Sequence, residues 1–122
     1  MPLPVPHPFT EAQIGAHSTS IGASAAAAYT RVPFRGKLKQ VGVVANGVIT
    51  TADCSIAVAI NGSAISGSPF TLPVAGAAAG QLATLVPTAD TSVNEDDVIS
   101  FTPSGASGSS IAGTFFALVR RA

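Results

Sequence analysis

The side chains that most often carry out chemistry are few in this sequence and lie far apart. There are two histidines, His7 and His17, and one cysteine, Cys54. A metal site needs several ligands that converge on one point, and a nucleophilic cysteine needs a partnering base. Neither histidine has a cysteine or carboxylate pair at metal-ligand spacing, and Cys54 begins an alternating apolar run where a free thiol behaves as a small hydrophobic group. We expect no metal, no catalytic residue and no cofactor.

Carboxylates form one dense group, since Asp90, Glu95, Asp96 and Asp97 lie within eight positions. Their spacing does not match the calcium loop of an EF-hand, and they lie too close in sequence to indicate a general acid and base pair. Two interpretations stay open. The favoured one is a solvated turn before a strand that begins at Val98, and the other is an intersubunit contact with basic residues.

Composition argues against several other classes of function. The chain has no tryptophan, a single tyrosine and a formal net charge of zero, which disfavours a sugar-stacking site and any general attraction to nucleic acid. No phosphate-binding loop motif occurs, and no run approaches the ~20 apolar residues of a membrane helix. Residues 1–8 do not resemble a secretory signal, and one cysteine cannot form an internal disulfide. We expect a protein made in a cytoplasm, not an enzyme, with neither nucleic acid nor membrane as a partner.

Charge is scarce and unevenly placed. Only 10% of the residues are charged, against about 25% in a typical soluble domain. The basic residues fall into two short stretches, namely Arg31, Arg35, Lys37 and Lys39, and then Arg120 and Arg121. A monomer with so little charge is poorly protected against association. We infer that other protein covers much of its surface.

The first basic stretch alternates with apolar residues. Its cations occupy odd positions and Val32, Phe34 and Leu38 occupy even ones, so a continuous strand would place all the cations on one face. The alternation changes phase after Gln40, which predicts a bulge or bend near Gly42. Two interpretations stay open, a solvated edge strand charged against aggregation and a docking strip for an acidic surface. The residues of the docking strip would be Arg31, Arg35, Lys37 and Lys39.

The sequence divides into an extended N-terminal arm, residues 1–24, and a β-sandwich domain, residues 25–122. Alternate prolines at the start fix φ and remove amide donors, which favours a polyproline-like segment. Thr10–Ile14 is compatible with a short helical turn that Gly15 would end. The arm is either disordered or laid along a partner, and we predict that it orders on a partner. The residues proposed for that contact are Pro4, Pro6 and Pro8.

From residue 25 onwards, short β-branched runs alternate with Gly, Pro, Asn, Asp and Ser, which predicts an all-β domain of about eight strands. The predicted strands are Ala25–Thr30, Arg31–Ala45, Thr51–Ile60, Ser63–Ile65, Phe70–Val74, Gln81–Val86, Val98–Phe101 and Ile111–Arg120. Asn61-Gly62 suits the positive φ values of a type I′ hairpin turn, and Asn46-Gly47 is a second candidate.

Two predicted strands have unusual faces. Cys54–Ile60 alternates bulky apolar residues with the small residues Ala57 and Ala59, and Ile111–Val119 carries Phe116 and Leu118 opposite a second apolar face. A strand face exposed to solvent would normally be polar. We therefore predict that Phe116, Leu118, Ala57 and Ala59 lie in a subunit interface, and that the protein is a homotrimer.

Several stretches, taken in order, resemble small viral proteins. A Pro-rich start precedes V-G-V-V-A-N-G-V-I-T-T, then D-C-S-I-A-V-A-I-N-G-S-A-I, then N-E-D-D-V-I-S-F before a last apolar strand. Over residues 35–120 this layout is similar to that of the trimeric jelly-roll capsid decoration (cement) proteins of tailed bacteriophages. Asn94–Phe101 also resembles the strand entry of tumour-necrosis-factor-like and C1q-like trimeric heads, with Asp96 where those heads have glycine.

The resemblance implies a jelly-roll-like antiparallel sandwich and a homotrimer without enzymatic activity. Such a trimer would sit on the outer surface of an icosahedral shell at local threefold sites, clamp neighbouring copies of the major capsid protein and stabilise the shell. It would be made in the host cytoplasm and reside on the capsid exterior. The alternatives are a trimeric head or base domain of a phage fibre or filament that binds a receptor or sugar, and an enzyme or ligand carrier, which the missing polar cluster disfavours.

Overall fold

The computed structural model of the chain describes residues 11–22, 25–50, 52–76, 78–89, 91–105 and 110–121. These residues form ten β-strands and no helix. The strands are β1 (Glu11–Ser18), β2 (Ala28–Arg31), β3 (Gly36–Ala45), β4 (Cys54–Ile60), β5 (Ser63–Ala64), β6 (Phe70–Leu72), β7 (Leu82–Leu85), β8 (Ser92–Val93), β9 (Val98–Ser104) and β10 (Gly113–Arg121). In the described part of the chain, no helix is long and apolar enough to cross a membrane.

The strands form two antiparallel sheets packed as a sandwich. Sheet A has the order β1-β10-β3-β7 with β8 also paired to β3, and sheet B has the order β2-β9-β4-β5 with β6 also paired to β4. Four strand pairs are nested along the chain and alternate between the sheets, since β1 pairs with β10, β2 with β9, β3 with β7 and β4 with β6. This nesting is the jelly-roll arrangement. The prediction of an all-β, jelly-roll-like antiparallel sandwich is confirmed.

The core lies between the two sheets and follows the two-residue period of the strands. On β10, Phe115, Ala117 and Val119 are 0% exposed, and on β4 the same holds for Cys54, Ile56 and Val58. The rings of Phe101 and Phe115 stack across the sheets with centroids 4.9 Å apart and planes inclined by 11°. The remaining largest fully buried side chains are Ile21, Ile49, Leu72, Ile99, Val32, Val41, Val43 and Val93.

One of the two predicted hairpin turns is confirmed. Asn61 and Gly62 have φ values of 50° and 89°, and they connect the paired ends of β4 and β5. The prediction for Asn46-Gly47 is wrong, because β3 ends there in a bend and no strand follows directly. The amide of Asn46 instead donates to the carbonyl of Ala112 at 2.9 Å, which ties this bend to the segment that enters β10.

Strand β1 is the main departure from the predicted organisation. It pairs with β10 along its whole length, from Glu11 opposite Arg120 to Ser18 opposite Gly113. Ile21 follows and is fully buried in the core. The pairing satisfies backbone groups along β10 that an edge strand would leave open, so residues 11–22 belong to the sandwich.

Three expectations about the arm change accordingly. The helical turn at Thr10–Ile14 is wrong from Glu11 onwards, because these residues lie in a strand. The boundary after residue 24 is wrong, since the sandwich already includes residues 11–22. The expectation that the arm orders on a partner is wrong for the same residues, whereas Pro4, Pro6 and Pro8 lie outside the described residues.

Two deletions separate the contribution of β1 from that of the segment before it. Removing residues 2–10 keeps every described strand, and we expect little change in Tm. Removing residues 2–20 deletes β1 and exposes the edge of β10. We expect the free energy of unfolding to fall by ~3 kcal/mol or more, which would lower Tm by roughly 10 °C. Thermal unfolding followed by circular dichroism measures both variants. Equal Tm values for the two deletions would contradict the role given to β1.

Candidate functional site

Cys54, the one cysteine of the sequence, is a core residue. Its side chain is 0% exposed, and its Sγ lies 3.4 Å from the carbonyl oxygen of Ile21. Burial raises the pKa of the Cys54 thiol above its ordinary value, and a backbone hydrogen bond involving Ser104 offsets part of that rise. The thiol therefore stays protonated at neutral pH. His17 is exposed on β1, and His7 lies outside the described residues.

The described carboxylates of the acidic group build the turn that enters β9. Asp97 accepts hydrogen bonds from the amide of Asn94 at 2.8 Å and from the side-chain amide of Asn61 at 3.0 Å. Asp96 has a φ of 71°, and its carboxylate accepts a hydrogen bond from the Arg31 guanidinium of the same chain. These contacts agree with the interpretation as a turn before Val98, with one basic residue paired to it from within the chain.

The structure does not place the first basic stretch on one strand. Arg31 ends β2 in sheet B, whereas Lys37 and Lys39 lie on β3 in sheet A. The intervening residues cross between the sheets, and Pro33, which has no amide donor to extend a ladder, lies in this crossing. The prediction that all four cations share one strand face is wrong, because Arg31 belongs to the other sheet and pairs with Asp96.

A β-bulge in β3 directs the two lysines outward. Leu118 of β10 pairs with Gln40, and the next residue, Val119, pairs with Leu38, so that Lys39 has no opposite residue. Leu38 on one side of this point and Val41 on the other are both buried, which requires a change of phase between them. The structure thus confirms a bulge in β3, but the bulge lies at Lys39 and not at Gly42.

Strand pairing adds the two C-terminal arginines to these lysines. Lys37 lies opposite Arg120 and Gly36 opposite Arg121. We call Arg35, Lys37, Lys39, Arg120 and Arg121 the basic patch. Arg120 and Arg121 form a separate stretch in the sequence, where nothing local indicates that β10 pairs with β3.

A second candidate surface, which we call the neutral face, is the outer face of sheet A beyond the bulge. Phe116 lies there between Gly15 of β1 and Gly42 of β3. A Cβ at Gly42 would collide with the Phe116 ring and lie 2.7 Å from the Ala83 carbonyl oxygen, so the ring covers this glycine and is half-buried. The other residues of this face are Gln13, His17, Gln40, Val44, Leu82, Thr84, Thr114 and Leu118.

The predicted interface residues fall on two different surfaces. Phe116 and Leu118 are half-buried on the neutral face of sheet A, whereas Ala57 and Ala59 lie on the outer face of sheet B. The outer faces of a sandwich point in opposite directions. One contact between two copies cannot contain both pairs on the same chain, so the structure brings together only Phe116 and Leu118.

Comparison with known proteins identifies the fold but not a family. No family model and no curated protein matches the chain. Among solved structures, a chain in the acidic stable capsid structure of Helicobacter pylori bacteriophage KHP30 matches with a TM-score of 0.53 and 13% sequence identity. The match covers 90% of this chain and 90% of that chain, so the two chains share a fold over nearly their whole lengths.

Proposed function

We propose that this chain is a bacteriophage capsid decoration (cement) protein, a homotrimer that binds the major capsid protein on the outer surface of an icosahedral shell and stabilises the shell. The observation that carries the proposal is the jelly roll shared, over 90% of each chain, with a chain of a phage capsid structure. Equal coverage means that the two chains have similar lengths. The likeness therefore extends over nearly the whole of both chains.

The surface of the sandwich supports a role in an assembly. Several large apolar side chains are well exposed, including Tyr29 at 66%, Val86 at 63% and Leu82 at 58%. The neutral face carries no Asp, Glu, Lys or Arg among its described members. Of these side chains, Leu82 lies on the neutral face opposite Val44, and apolar surface with little charge marks sites of protein association. Copies of this chain and a shell surface are the partners that the proposal assigns to it.

The geometry favours the neutral face as one side of the trimer contact. A closed ring of three needs contact surfaces inclined to each other, whereas contacts through two opposite faces stack copies into an open row. Phe116 also offers a large, half-buried aromatic ring, a type of residue that often dominates interface energetics. We therefore assign Phe116 and Leu118 to the contact and leave Ala57 and Ala59 outside it.

A pair of aspartate substitutions tests this assignment. Phe116→Asp buries an unpaired charge in the contact. We expect the free energy of association to weaken by ~2 kcal/mol or more, which raises the dissociation constant more than tenfold. Ala57→Asp adds the same charge to the opposite face and should leave a trimer. Light scattering at micromolar concentration gives the masses, and circular dichroism checks that both variants fold. A wild-type monomer, or dissociation by Ala57→Asp alone, would contradict the assignment.

The proposed function itself is tested on purified particles of the virus that encodes the chain. A trimer at each local threefold site meets three shell subunits, so quantitative mass spectrometry should find about one copy per major capsid subunit. Particles stripped of the protein should lose resistance to heat and recover it when the protein is added back. A few copies confined to the tail fraction would instead favour a fibre head, and absence from particles would refute a capsid role.

A further inference from the structure

Charge in this chain is separated into two regions although its formal net value is zero. The basic patch holds five of the six basic residues, and Glu11, which lies opposite Arg120, is the described carboxylate beside it. These six groups carry a formal charge of +4, and the rest of the sequence therefore carries −4. A compact region of one sign steers and holds a partner of the other sign.

Two arginines of the patch are held in place before any partner binds. The Arg120 guanidinium donates to the Glu11 carboxylate, with Nε 2.9 Å from Oε1. The Arg121 guanidinium carbon lies 4.8 Å from the centre of the Phe34 ring, a cation–π contact. Side chains that are already ordered lose less entropy on association. These contacts favour a docking surface over a merely solvated strand end.

A small open groove lies directly beside the bulge lysines. It has a volume of about 170 Å³ and is lined by Lys37, Leu38, Lys39, Val86, Pro87, Thr88, Ala89 and Thr91. One water molecule takes up roughly 30 Å³ in the liquid, so the groove has room for the end of one side chain. The ammonium groups of Lys37 and Lys39 and the Thr88 hydroxyl suit an acceptor with negative charge, whereas the Thr91 hydroxyl already donates to the Ala89 carbonyl at 3.1 Å.

We propose that the basic patch binds a carboxylate-bearing surface of the shell protein, with one Asp or Glu side chain of that surface in the groove. This inference rests on the proposed function. It replaces Arg31 of the predicted docking strip by Arg120 and Arg121, because Arg31 lies on β2 in the other sheet whereas Arg120 lies opposite Lys37. A protein surface suits the patch better than single-stranded nucleic acid, since the Phe34 ring is covered by Arg121 and cannot stack on a base.

A matched pair of double variants tests the patch against net charge alone. Lys37→Gln with Lys39→Gln removes two positive charges beside the groove. Ala75→Glu with Ala79→Glu is the control, because it changes the net charge by the same amount at exposed positions. These positions lie near the other end of β3, where the Gly80 amide donates to the Ala45 carbonyl. Both pairs are measured for binding to a hexaglutamate peptide by fluorescence anisotropy, and for occupancy on stripped particles.

Loss of two exposed ion pairs should weaken binding of the lysine variant roughly 2- to 30-fold at low salt. The difference should vanish near 1 M salt, where the Debye length is ~3 Å. The alanine variant should bind like wild type. Thermal unfolding checks that both variants remain folded, and Lys37→Glu with Lys39→Glu enlarges the effect if the neutral variant is too mild to measure.

Three outcomes would overturn the proposal: equal binding of the lysine variant and wild type at low salt, equal loss in both double variants, or tighter binding of a short single-stranded DNA than of hexaglutamate. The proposed function fails separately. If particles do not contain the protein but the lysine variant binds hexaglutamate more weakly than wild type, the carboxylate-binding site is supported and the capsid role is refuted. If particles contain it and both variants occupy them equally, the capsid role stands and this inference falls.

Discussion

Strand β3 must bury side chains that are out of phase with one another, and the rest of the structure depends on how it does so. Leu38 points into the core from one side of Lys39, and Val41 and Val43 point into it from the other. A regular strand cannot place positions 38, 41 and 43 on one face, because its period is two residues. The bulge at Lys39 removes the conflict. It keeps the core continuous and leaves both lysines on the outside.

That one irregularity also divides the outer face of sheet A into two surfaces. Before the bulge, Lys37 meets Arg120 and the outer face is basic, whereas Arg121, opposite Gly36, lies on the other side of the strand over the Phe34 ring. After it, the face is neutral and centred on Phe116, which covers Gly42. The neutral face, which we propose for contact between copies, and the basic patch, which we propose for docking, thus adjoin on one sheet. Five of the six basic residues of the sequence therefore lie at one end of sheet A.

The local features of this fold could be predicted from the sequence, and its long-range pairings could not. Alternation located most strands, the Asn61-Gly62 turn and the bulge in β3, because each depends on residues close together in the chain. Residues 11–17 alternate polar or glycine positions with the apolar Ala12, Ile14 and Ala16, but this weak alternation was not recognised as a strand, which is stabilised by pairing with β10 about a hundred positions later. Because such distant pairings could not be predicted, the sequence did not show that Arg120 lies opposite Lys37. For the same reason Ala57 and Phe116 were predicted in one interface, although they lie on opposite faces of the sandwich.

The central claim is that this jelly roll is a shell-bound protein whose basic patch meets the capsid. A density map of the purified particle at side-chain resolution tests that claim most directly. The account predicts trimers of this chain on the outer surface, the Phe116 rings between copies, and the bulge of β3 against carboxylates of the shell protein. Density for this chain only in a tail fibre, or a trimer whose Lys37 and Lys39 face solvent away from the shell, would contradict it.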